Sequence, residues 1–528
     1  MRDPAATDSG LVEGIKSRDR SVTVFRGIPY ATSPVGDLRW RPPRPAEPWE
    51  GVRRAHAFGP VCPQPPSGEL VGLDLPMSED CLTLNVWTGA ASPEEERPVL
   101  VWIHGGGFRL GTGADPRYDG VNLARKGLVI VTFNYRLGAF GFLASPELSA
   151  ESGHGASGNY GLLDGIAVLR WVQRNIAAFG GDPGRVTIAG QSAGAGAVNF
   201  LAMSPLARGL FHRAIAQSHA RYSRDPELRY LSTSYRLLHD AEQAGAAWAK
   251  ERGTRTLAKL RGLPWQKLMG GGAVDTAVPT GGSGKPPLFR PVVDGWVLPA
   301  GYDDTYAKGL QNDVHYLAGN NLDEGGAVPD ELFAAYRSEG KRSRRPGMPP
   351  VHVTLDAFVA AAHEKLGPLA GEFLALYPAA TDQEAARSGS EAIRDNARIS
   401  TYLWAADWSR HTTRPIHTYY WTHRSTAQGR NFRRASHGSE IDFVFGNLAR
   451  DDAEWTAEDR AIAETMSTYW ANFVASGDPN GPGLPQWPAY APDSEAVMEV
   501  GGAFGPIPVA ELSRFAFWKR FFQTQQAW

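Results

Sequence analysis

The stretch Arg185-Val-Thr-Ile-Ala-Gly-Gln-Ser-Ala-Gly-Ala-Gly-Ala-Val198 most narrows what this chain can fold into. An apolar run of strand length stops at Gly190, and small residues crowd one serine before an apolar, helix-length segment reaching Met203. Glycine disfavours helices and strands alike, so this crowding is a local cost that needs a reason. A sharp strand-to-helix turn supplies one. It would hold the Ser192 hydroxyl in the open, with the N-terminus of the following helix beside it. Side chains two places before or after the serine would then collide with neighbouring elements.

The surroundings fit that turn. Arg97 to His104 and Leu128 to Asn134 are short continuous apolar runs, as expected of parallel strands covered on both faces. Between Gly161 and Gly180, apolar residues from Leu162 to Ile176 recur at helical spacing, with Gly180-Gly181 as the stop. Further strands are expected at His212–Gln217, Val314–Ala318 and Ile416–Thr422. Alternating strands and helices predict an α/β fold around a mostly parallel sheet. The stretches 223–282 and 326–400 are rich in helix formers and are expected to be insertions beside the site, within a single domain spanning 1–528. Thr456-Ala-Glu-Asp459 starts another helix, carrying Ile462, Met466, Trp470, Phe473 and Val474 on one face and ending at Gly477. Phe515–Phe522 is expected to pack as a helix.

Lys and Arg number 54 against 56 Asp and Glu, so no global field favours nucleic acid or an anionic membrane. No apolar run is long enough to span a bilayer. The N-terminal residues show no apolar leader, and a cytoplasmic location is the default expectation. With only Cys62 and Cys81, cysteine-based zinc sites are excluded; one disulfide or two free thiols remain open. Thr280–Lys285 lacks the first glycine of a phosphate-binding loop, and Pro286 stands where its Ser/Thr would be. No cofactor or metal is expected.

A serine hydroxyl needs a base and an oxyanion hole. His104-Gly105-Gly106-Gly107-Phe108 follows its own strand and can present free amides, to be joined by the amide after the serine, Ala193. The chain order serine, acid, histidine expected of a nucleophile on such a turn places the acid in Gly319-Asn-Asn-Leu-Asp-Glu-Gly325, where Asp323 and Glu324 are both plausible. Among the late histidines His437, in a loop before Gly438, is favoured as base. His417 and His423 lie on or at the end of a strand, where packing is expected.

Taken together these motifs resemble the type-B carboxylesterases, the para-nitrobenzyl-esterase-like branch related to the cholinesterases. The resemblance runs from Phe25-Arg-Gly-Ile-Pro-Tyr-Ala31 through Ser78-Glu-Asp-Cys81, Trp102–Phe108, Asn134–Gly138, Phe179–Pro183, the serine turn, Pro291–Gly295, Gly319–Gly325 and His437–Glu440 to Gly477-Asp-Pro-Asn480. It implies an α/β-hydrolase fold and a serine esterase acting on small carboxylic esters through an acyl-enzyme, with an amide or carbamate hydrolase using the same triad, or a non-catalytic scaffold homologue, as the alternatives. It also implies Ser192 as nucleophile, Glu324 as acid, His437 as base, and Gly106, Gly107 and Ala193 as oxyanion donors. Further implications are a Cys62–Cys81 disulfide and a supporting role for Ser218 near the acid. Two positions depart from the family pattern. Gln191 replaces the usual glutamate before the serine, and His219 replaces the usual glycine after Gln217-Ser218.

With Phe108, these two are candidates for lining the substrate pocket. No aromatic residue lies between Cys62 and Cys81 to face a quaternary ammonium, so choline esters are poor candidates. Cations gather instead at Arg109, Arg221, Arg224, Arg430, Arg433 and Arg434. Arg433 or Arg434 is expected to favour esters that carry a carboxylate. Oligomeric state is not read from the sequence.

Overall fold

The computed structural model describes residues 4–66, 73–226, 235–254, 256–269, 286–324, 327, 354–425, 435–448 and 454–528. Its centre is a sheet of eleven strands, labelled here in chain order. They are β1 (Ile15–Lys16), β2 (Thr23–Pro29), β3 (Thr83–Thr88), β4 (Arg97–Ile103), β5 (Val129–Phe133) and β6 (Gly181–Gln191). The rest are β7 (Arg213–Gln217), β8 (His315–Asn321), β9 (Ile416–Trp421), β10 (Ala496–Val500) and β11 (Gly505–Pro508). Across the sheet the order is β11-β10-β9-β8-β7-β6-β4-β5-β3-β2-β1. The central pairs from β5 through β4, β6, β7, β8 and β9 to β10 are parallel. Both edges are antiparallel.

The apolar runs alternate between two cores. Val99, Val101 and Ile103 of β4 face one, which also holds Leu162, Ile166 and Leu169 of α1 (Tyr160–Asn175) and Phe200 of α2 (Ala193–Met203). Leu100 and Trp102 face the other, closed by Ile462, Met466, Trp470 and Phe473 of the helix Ala457–Ser476. A strand buried on both sides has no polar face to show, so the expected two-sided cover follows from the composition of the runs. The fold is that of an α/β hydrolase.

The helix Ala457–Ser476 begins with the expected capping box at Thr456 and Asp459 and ends at Gly477, whose φ is 88°. Phe515, Phe517, Trp518, Phe521 and Phe522 of the helix Leu512–Gln523 are buried in a third cluster with Phe373 and Tyr377. Within 223–282 lie helices Leu238–Glu251, Leu257–Arg261 and Trp265–Leu268. Within 326–400 lie Leu355–Leu366 and Ala370–Leu376. A third, Asp382–Ser409, continues past 400 and buries Trp404 and Trp408 in the sheet's own core. Cys62 and Cys81 form a disulfide, their Cα atoms 5.1 Å apart. Among the described residues, no helix is long and apolar enough to cross a membrane.

Candidate active site

The serine turn is built by close approach of backbones. Ser192 stands between the end of β6 and the start of α2 with φ 59° and ψ −124°, a conformation side-chain-bearing residues rarely adopt. Its amide donates to the Gln217 carbonyl at the end of β7, and its own carbonyl accepts from Gly196. A Cβ at Gly190 would lie 2.5 Å from the Gly194 carbonyl carbon and 2.7 Å from the Ile103 oxygen; one at Gly194 would lie 2.0 Å from that same oxygen. The glycines on either side are therefore dictated by the end of β4 pressing into the turn.

The glycine loop leaves β4 directly opposite. A Cβ on Gly105 would meet the Gln191 oxygen at 2.7 Å and Ser192 Cβ at 3.2 Å, so this loop lies against the serine. Gly106 and Gly107 have φ of 103° and 65°, and the Gly106 carbonyl accepts from the amides of Arg109 and Leu110. These conformations turn the loop back over the start of α2, where Ala193 begins the helix. A helix N-terminus leaves its first amides without intrahelical acceptors. His104 is buried, stacked on Tyr135 with ring centroids 4.4 Å apart, and its Nδ1 is 2.9 Å from the Gly105 oxygen. Burial pushes its pKa down to about 4, which makes it a neutral buttress for the loop. Phe108 is fully buried against Phe142 and Phe200, anchoring the loop from beneath.

Across the sheet, β8 delivers the acidic pair just past its end. Glu324 Oε2 lies 2.6 Å from His437 Nδ1, while Oε1 accepts from the Asn321 amide. Burial alone would raise the Glu324 carboxyl; the charge of His437, its hydrogen bond, the Ser218 side chain and the Asn321 amide together pull it below the ordinary value. Asp323 takes a different course. Its amide donates to the Ala435 carbonyl and its side chain accepts from Arg394 at 2.8 Å. The geometry thus separates the two carboxylates that residue chemistry alone leaves equivalent. His437 Nε2 is met by Gln191 Nε2 at 3.2 Å. With Nδ1–H donated to Glu324, the Nε2 lone pair accepts this amide N–H.

Support lies behind the acid. Ser218 has φ 64°, and its amide donates to the Gly319 oxygen within β8. Glu440 is completely buried, accepting from Gln217 Nε2 at 2.9 Å and Asn321 Nδ2 at 2.5 Å. Burial, with the Glu324 charge adding to it, pushes the Glu440 carboxyl up. Sequence reasoning gave Gln217, Asn321 and Glu440 no role. The one available signal was a glutamate three residues after His437, entering the apolar run Ile441–Phe445.

His219 is packed rather than open to a pocket. It is 1% exposed, with Nε2 3.3 Å from the Tyr302 hydroxyl and its carbonyl accepting from Asn199. Burial, then Arg221 and His437, bring its pKa down to about 3. His417 is buried on β9, and His423 pairs with Asp459 at 2.7 Å. Arg221 is held by Asp225 and Asn396, and Arg224 donates to the Gln525 carbonyl. Arg430, Arg433 and Arg434 lie outside the described residues.

A sequence model of the carboxylesterase family matches residues 3–507. Fumonisin B1 esterase of Sphingopyxis macrogoltabida is 37% identical over 511 residues, covering 94% of this chain and 86% of that protein. The liver carboxylesterase of Sus scrofa is 33% identical over 546 residues, covering 98% and 92%. A solved structure of PNB esterase superposes with a TM-score of 0.77 at 30% identity, covering 98% of this chain and all of that one.

Proposed function

Because this chain belongs to the carboxylesterase family and hydrolyses carboxylic esters, we propose that it does so through Ser192, His437 and Glu324 and an acyl-enzyme on Ser192. The observation that carries this reading is the 2.6 Å contact between Glu324 and His437 Nδ1 beside the strained serine turn. Glu324 fixes the tautomer that leaves Nε2 as the base. As a substrate carbonyl enters, His437 Nε2 exchanges the Gln191 amide for the Ser192 hydroxyl proton, and Oγ attacks the carbonyl carbon. The amides of Gly106, Gly107 and Ala193 receive the developing oxyanion, each donor contributing about 3 kcal/mol by analogy with measured cases. The imidazolium then protonates the departing alcohol. Water repeats the sequence on the acyl-enzyme and releases the acid.

The chain is read as one hydrolase unit, with the helical stretches after β7 and β8 standing beside the site. The Cys62–Cys81 disulfide favours an oxidising compartment over the cytoplasmic default. The reading that Arg433 or Arg434 selects carboxylate-bearing esters rests on their place in the sequence just before His437. It would be abandoned if Arg433→Ala and Arg434→Ala left kcat/KM unchanged for an acidic ester and for its neutral analogue.

The test of the triad is hydrolysis of p-nitrophenyl acetate, butyrate and octanoate by the wild type and by Ser192→Ala. A loss of at least about 10⁴-fold in the variant on every ester is expected, and the wild-type chain-length profile sizes the acyl pocket. Retained turnover in the variant would remove Ser192 from the mechanism.

A further inference from the structure

A cavity of about 250 Å³ opens between the Trp40–Arg44 segment, the start of α1 and the Asp294–Val297 turn. None of the triad, oxyanion-loop or supporting residues described above lines it. It is therefore distinct from the reacting serine.

Three features show that the cavity is constructed. Trp40 has φ 57°, a strained conformation for a bulky residue, and is kept there by neighbours on both sides. Its indole donates to the Ala139 carbonyl, Arg39 is locked to Glu79, and the Arg41 carbonyl accepts from Arg136. Next, Tyr160 is only 5% exposed, yet among the described residues its hydroxyl has no hydrogen-bond partner. That hydroxyl is not among the sealed, unpartnered polar atoms of the interior, so it is free to bond a ligand in the cavity. Finally, Trp296 forms a half-buried wall, fixed by His154 stacked on it at 3.9 Å.

Charge decides the class of occupant. Glu151 is shared between Arg41 at 3.2 Å and a two-pronged contact from Arg261. Asp294 has one carboxylate oxygen accepting from the amides of Trp296, Val297 and Leu298, which disperses its charge. Arg44, at the mouth, is exposed and has no ion-pair partner among the described residues. Of the two guanidiniums and two carboxylates in the lining, Arg41 is paired with Glu151 and Asp294 is satisfied by backbone donors, which leaves Arg44 as the unpaired charge. The remaining positive charge sits at the opening, while the interior is walled by Trp40, Leu148, Leu163, Trp296 and Val297.

We propose that this cavity binds a small organic monocarboxylate, its apolar ring or chain between Trp40 and Trp296, its carboxylate at Arg44 and Arg41, with the Tyr160 hydroxyl donating to it. Such an anion is also what ester hydrolysis releases, so the cavity is suited to hold product away from Ser192. The proposal does not depend on the triad assignment.

The test is calorimetric titration of the intact protein with sodium benzoate, which contains no ester. Saturable binding is expected, weakened at least 10-fold by Arg44→Ala and several-fold by Tyr160→Phe. Benzamide should bind at least 10-fold more weakly than benzoate, and benzylammonium should not bind. Arg44 is exposed and unpaired, so its replacement leaves the fold intact. No saturable heat, equal binding of benzamide, or benzoate affinity unchanged in both variants would overturn the proposal.

Discussion

At the scale of single residues, the site turns on what faces each nitrogen of His437. Glu324 holds Nδ1 and the neutral amide of Gln191 meets Nε2. A neutral donor at Nε2 stabilises the unprotonated base, whereas a carboxylate there would stabilise the imidazolium. Gln191→Glu is therefore expected to move the acid limb of the kcat/KM profile to higher pH by about one unit. An unmoved limb would show that residue 191 has no electrostatic hold on the base. Glu324 is already held below the ordinary carboxylate value, so a shift of this limb reports on His437, the proposed base. Much of this site was legible in the sequence. Ser192, the glycine loop and His437 each carry a local signature, because backbone crowding and loop position are written in neighbouring residues. The choice between Asp323 and Glu324 was not legible from chemistry, since both are carboxylates one residue apart. It depends on Arg394 and on Ala435, distant in sequence, which together hold Asp323 away. The Gln191–His437 contact likewise joins residues that only the closed sheet brings together. His219 could be read either way until its burial against Tyr302 was seen.

At the scale of elements, the strand-to-helix turn tolerates no added atom. Gly194→Ala would place a Cβ 2.0 Å from the Ile103 oxygen. A loss of about 3 kcal/mol or more, or failure to fold, is expected from such backbone overlap. Gly371, on the helix Ala370–Leu376, has nothing within 4 Å of an added Cβ, so Gly371→Ala should be neutral or stabilising by up to about 1 kcal/mol. Equal urea midpoints for Gly194→Ala and the wild type would contradict the crowding account. The disulfide closes a loop of sequence separation 19, and Cys62→Ser is expected to cost about 3 kcal/mol in denaturant unfolding. Strand cores were predictable because two-sided burial demands unbroken apolar runs; their ends were not. β6 begins at Gly181, four residues before the apolar run, because Gly181 pairs with Arg97 across the sheet. The helix Asp382–Ser409 passes the expected boundary at 400 because its last turns carry Trp404 and Trp408 into the main core.

At the scale of the whole molecule, burial holds three histidines neutral well below their ordinary range. Burial brings His104 and His417 down to about 4 and His219 to about 3. Between those values and 6.5 the unfolded chain binds protons that the folded chain does not, so stability rises with pH across that window and is lost as pH falls through it. Each such histidine contributes up to about 1.4 kcal/mol per pH unit. The melting temperature should therefore drop steadily from pH 6.5 toward pH 4.5, and a flat profile there would contradict the assigned burial. The central claim joins all three scales: one serine, placed by one turn of one sheet, carries the chemistry. It is tested most directly by reacting the protein with diethyl p-nitrophenyl phosphate, counting the p-nitrophenol released, and mapping the adduct by mass spectrometry. The account predicts one equivalent per chain with the phosphoryl group on Ser192, much slower reaction in His437→Ala and none in Ser192→Ala. Esterase activity surviving full reaction, or an adduct on any other residue with Ser192 unmodified, would contradict it.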